Sequence, residues 1–66
     1  MKNIARAAAA DLALTAYNAA KPTDPQDRLA DLLSDLMHHA RLHGRDFDHQ
    51  LRRAKANYDA EIDEES

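Results

Sequence analysis

The stretch from Asp24 to Tyr58, DPQDRLADLLSDLMHHARLHGRDFDHQLRRAKANY, carries start and stop signals for two consecutive amphipathic helices with a single glycine between them. Leu29, Leu32, Leu33, Leu36, Met37 and Ala40 recur at spacings of three and four, which places them on one stripe of a helix running from about residue 25 to 43. Asp24 is a favourable N-cap. Pro25 after it fits the first helical position, where a missing N–H costs nothing, and Asp27 adds negative charge to the first turn. Gly44 is the natural left-handed residue to end that helix. Asp46 then caps a further helix from about 47 to 62, favoured by Asp48 in its first turn, with an apolar line of Phe47, Leu51, Ala54, Tyr58 and Ile62. The pattern is that of a helical hairpin.

Upstream, residues 3–20 (NIARAAAADLALTAYNAA) are rich in the best helix former and contain no Gly or Pro. Ile4, Ala8, Leu12, Thr15 and Ala19 share one side of this first helix, and Ala10, Ala13, Leu14 and Tyr17 share another, so two neighbours can approach it. Lys2 and Arg6 sit at the adverse end of the helix dipole, which predicts a frayed first turn. Residues 21–23 form the connection, and the acidic residues 63–66 are expected to fray as a solvated tail. The expected architecture is therefore all-α: one domain over 1–66, a helical hairpin with an additional N-terminal Ala-rich helix.

Sixty-six residues bury a thin core, roughly 60% of the unfolded surface for a domain of this size. Of the residues counted as hydrophobic, 14 are Ala, and the larger ones, from Met1 and Ile4 to Tyr58 and Ile62, are few. With no Cys to form a disulfide, such a chain commonly completes its burial by self-association, so a homodimer is expected. Cytoplasmic location is also expected, because Asp11 interrupts the only stretch resembling a signal peptide and the disulfides usual in tiny secreted domains are lacking. No run is long enough to span a membrane, and a net charge of -3 argues against a generally basic nucleic-acid binder.

Charge supplies the sharpest features. Asp27, Asp31 and Asp35 form a like-charge column on the second helix, and Arg45, His49, Arg52 and Arg53 form an opposite stripe on the third. His39 and His43, one turn apart, could join Asp35 in projecting metal ligands, yet no Cys or HExxH pattern accompanies them, and neither metal nor other cofactor is expected. Ser34 has no evident base and no Gly-rich phosphate loop is present, so no catalytic residue is assigned and an enzyme is not expected.

The segment DRLADLLSDLMHHARLHGRDFDHQLRRAKANYDAEI is similar to a pattern in short proteins of temperate phages and conjugative plasmids: an acidic-Leu run ending in Leu-Met-His, a Gly, then Asp-Phe-Asp and an Ala/Tyr-bearing helix. In its hairpin architecture the chain also resembles the small dimeric phage proteins that antagonise a quorum-sensing activator of the LuxR type and a pilus-assembly ATPase. That resemblance implies a non-enzymatic inhibitor or adaptor that binds a host protein. From the residues themselves, His38, Leu42, Arg52 and Arg53 are the expected partner-binding anchors, Leu42 because it points away from the Leu stripe and the arginines because Arg is favoured at binding hot spots. Leu42 has a competing role, covering the turn against Phe47. The alternative outline is a ribbon-helix-helix DNA-binding regulator, whose strand would have to come from DLALTAYNAAK, residues 11–21, an Ala-rich stretch without β-branched alternation or an interior basic side chain.

Overall fold

The computed structural model describes residues 2–65; Met1 and Ser66, counted above among the larger apolar side chains and the acidic tail, lie outside them. Three helices follow in chain order: α1 (Asn3–Ala20), α2 (Arg28–Leu42) and α3 (Phe47–Glu65). Among the described residues there is no strand, so the ribbon-helix-helix outline lacks its ribbon: all but the last of residues 11–21 lie in α1. No helix among them is long and apolar enough to cross a membrane.

The α2–α3 junction follows the sequence closely. Gly44 has φ +66°, the left-handed conformation that glycine adopts without a Cβ penalty. Around it the Arg45 N–H donates to the Ala40 carbonyl at 2.8 Å and the Gly44 N–H to the Arg41 carbonyl at 3.3 Å, the paired bonds of a Schellman motif. Asp46 then starts α3: its Oδ1 accepts from the His49 N–H at 3.0 Å, satisfying one of the helix's free donors.

Two boundaries differ from expectation. Pro25 does not open α2. Residues 25–27 form a separate turn closed by the Asp27 N–H on the Asp24 carbonyl at 3.0 Å, and α2 begins at Arg28 without a side-chain cap. Asp followed by Pro suits the first two positions of a β-turn as well as a cap. The connection is fixed by its neighbours: the Arg28 Nη2 donates to the Thr23 carbonyl at 3.0 Å and the Thr23 N–H to Asn18 Oδ1 at 3.1 Å. At the other end, α3 passes Ile62 and continues to Glu65, so the expected frayed tail is helical at 63–65. The physical reason lies in α1, whose Arg6 reaches Glu61 at 3.3 Å and Glu64 at 3.5 Å. A cation adverse to its own helix start is favourable beside the C-terminus of another helix, and the carboxylates are favourable beside the start of α1. The first turn of α1 is accordingly helical.

α1 contacts both other helices. Its Leu14 and Tyr17 side faces inward and is half-buried, whereas Ile4 and Leu12 on the other side are 79% and 75% exposed. The expected core does not close within one chain. Ala40, at 7% exposure, is the one residue classed as buried among those described; Leu32 and Phe47 are half-buried, and Leu33, Leu36 and Ile62 remain at least two-fifths exposed. The chain exposes 5610 Å², against about 4,200 Å² for a typical folded monomer of its mass. Its radius of gyration is 13.5 Å, against about 11 Å for a compact domain of this length. The cause is compositional. With 14 Ala among its apolar residues, the chain has little large surface to lay against the Leu stripe of α2.

Candidate functional site

The Gly44 turn sets the end of α2 beside the start of α3. His38, Arg41 and Arg45, spaced three and four apart, line a cleft of about 500 Å³ with Ser34, Met37 and Phe47. Asp46 and Asp48 also line it, and the Asp46 carboxylate is held by its capping bond. Between residues 41 and 55 stand five cations, Arg41, Arg45, Arg52, Arg53 and Lys55, against two acids, a local charge of +3 in a chain of net charge -3. Among the described residues none of these five takes part in an ion pair.

The four expected partner-binding residues are all exposed. His38 lies in the cleft, and Leu42, one turn further on, shares its side of α2. Leu42 is 81% exposed, which removes its competing role as cover for the turn. Arg52 and Arg53 stand on α3 beyond the cleft lining, so the structure groups His38 with Arg41 and Arg45 more closely than with the other arginines.

The acidic column of α2 is offset from an unexpected direction. No ion pair joins Asp27, Asp31 or Asp35 to the arginines of α3 among the described residues. Instead the Lys21 Nζ, just past the end of α1, donates to Asp35 Oδ2 at 2.9 Å, and the Tyr17 hydroxyl donates to the same oxygen. These bonds, first from Tyr17 and then from Lys21, hold the Asp35 carboxyl below the usual carboxylate range. The bond to Asp35 likewise raises the pKa of Tyr17 and of Lys21.

The same cluster takes up Asp35, the third member of the His39–His43–Asp35 grouping. The His39 and His43 ring centroids are 4.4 Å apart with the planes tilted by 43°, while Asp35 is committed to Tyr17 and Lys21. Among the described residues no group of three or more His, Cys, Asp or Glu side chains is placed to hold a metal ion.

Arg41 escaped the sequence reading, although its 3/4 spacing with His38 and Arg45 was a visible signal. The Tyr17–Asp35–Lys21 cluster and the Arg6 pairs had none, because they join residues distant in sequence across separate helices. A second groove, about 390 Å³ between α1 and α3, is lined by Asn3, Arg6, Ala7, Tyr58, Glu61 and Ile62. The chain matches no protein-family model, no curated protein and no solved structure.

Proposed function

We propose that the chain is a non-enzymatic protein-binding protein, an inhibitor or adaptor from a phage or plasmid that works as a homodimer of helical hairpins on a host protein in the bacterial cytoplasm. The observation that carries this is the division of its surface: an uncharged apolar stripe on α2 whose Leu29, Leu33, Leu36 and Met37 are left two-fifths or more exposed, and a separate set of unpaired cations between residues 41 and 55. Large apolar side chains left open side by side on one helix face favour its use as an interaction surface. Unpaired arginines beside it supply steering and orientation for an acidic partner surface, raising association rate more than affinity.

His38, Leu42, Arg52 and Arg53 are the proposed anchors, extended by Arg41 and Arg45 of the cleft. The class of target, a LuxR-type transcriptional activator or a pilus-assembly ATPase, comes from the likeness in helical-hairpin architecture to small dimeric phage proteins. Duplex DNA is disfavoured because the ribbon of the alternative outline is helical and twelve acids outnumber nine cations.

The test uses the tagged full chain and its Arg52→Glu/Arg53→Glu variant to capture protein from host lysate. The double variant is expected to keep its helical circular dichroism and lose the captured protein. Specific, salt-sensitive retardation of a promoter fragment from its own locus would overturn the proposal in favour of DNA binding.

A further inference from the structure

We infer that Leu29, Leu33 and Leu36 form the seam of an antiparallel dimer, in which α2 of one copy lies along α2 of a second copy about a two-fold axis near Leu33. This rests on the proposed homodimer and adds the face, the orientation and the register.

The three leucines follow one another at steps of four and three, the spacing that keeps a line of side chains facing a neighbouring helix. They are 59%, 40% and 42% exposed within one chain, with Met37 beside them at 53%. The arc of α2 that holds them carries no Asp, Glu, Lys or Arg. Exposure exceeds that of a typical monomer by about 1,400 Å², whereas a standard interface takes about 800 Å² from each partner. The open surface is therefore larger in area than the share one partner gives to such an interface.

A two-fold interface must match itself. Centred on Leu33, the stripe does so: Leu33 meets its own equivalent, and Leu29 of one copy meets Leu36 and Met37 of the other. The antiparallel direction also opposes the two helix dipoles. The competing face, on α1, offers Ile4 and Leu12 two turns apart with Ala8 between them, a poorer seam. His38 and Leu42 lie on the opposite side of α2 from the stripe, so the dimer leaves them free for a different partner.

The chain has no cysteine, so single-cysteine variants report the seam directly. Leu33→Cys, Leu12→Cys and Leu42→Cys are purified and oxidised mildly, with circular dichroism confirming that each is folded. Leu33→Cys is expected to form covalent dimer about a hundredfold faster than the other two at ~10 µM protein, because the effective concentration inside a dimer is on the order of millimolar. As a second measure, an equal mixture of Leu29→Cys and Met37→Cys is expected to give mainly the mixed disulfide. Fast cross-linking through Leu12→Cys, equal rates at all three sites, or Leu29→Cys pairing with itself would each overturn the inference. The readout involves purified chain alone, so failure here is distinct from failure to capture a host protein.

Discussion

Ala40 and Leu33 lie two turns apart on the same stripe of α2, and they have opposite surroundings. Ala40 is 7% exposed, enclosed where Gly44 reverses the chain and Phe47 folds back; Leu33 is 40% exposed on open helix. The junction closes because its requirements are local. A left-handed glycine, two backbone hydrogen bonds and one aspartate cap all come from residues 40–49. Leu33 needs a large apolar surface from elsewhere, and the alanines of α1 do not supply one. Backbone groups can thus be satisfied within a few residues, while burial of large side chains depends on total apolar area.

The largest expected effect tests the open half of that contrast. Leu33→Ala or Leu36→Ala should cost about 2–5 kcal/mol per chain if a second copy completes their burial, against no more than about 0.5 kcal/mol for Leu42→Ala. Chemical unfolding of the three variants at equal protein concentration measures this. Equal costs would mean that the stripe is no more covered than the outer face.

Smaller effects probe the closed half. Gly44→Ala forces a Cβ into a left-handed backbone at +66°, and with no heavy atom within 4 Å of that Cβ the cost is conformational alone, about 1–2 kcal/mol. Gly44→Asn should recover part of it, and thermal melts of the pair separate backbone strain from crowding. Asp46→Ala should cost about 1 kcal/mol through the lost cap, with Asp46→Asn close to wild type.

The smallest effect is the pH dependence of the link between α1 and α2. Asp35 titrates below its ordinary value in the folded chain, so its contribution is present above the unfolded carboxylate pKa, about 4, and is lost as pH falls through the lowered folded value. Tyr17 and Lys21 are shifted upward, so their contributions are present below their ordinary values, about 10, and are lost as pH rises through the raised ones. Asp35→Asn should flatten the acid limb of a stability–pH profile relative to wild type, a modest change because the Lys21–Asp35 pair is exposed to solvent.

What could be read in the sequence follows the same local rule. The range of α1, the glycine at 44 and the Asp46 cap were legible because each is specified by neighbouring residues. The start of α2 was displaced by a turn because Asp24-Pro25 serves equally as a cap or as the opening of a β-turn, and the Arg28–Thr23 bond was not visible in periodicity. The end of α3 was misplaced because Glu61 and Glu64 look adverse until Arg6, more than fifty residues away, is set beside them. At the candidate site, the exposure of His38, Leu42, Arg52 and Arg53 was legible from helical spacing, whereas the cleft that gathers His38 with Arg41 and Arg45 depends on how the turn folds.

The central claim is that a single chain leaves its α2 stripe open and a second copy closes it. Sedimentation equilibrium of the full-length wild-type chain across the micromolar range, with circular dichroism on the same samples, tests this most directly. The expected result is a folded species of twice the 7.4 kDa chain mass, with helicity falling where the dimer dissociates. A stably folded 7.4 kDa monomer throughout that range would contradict it.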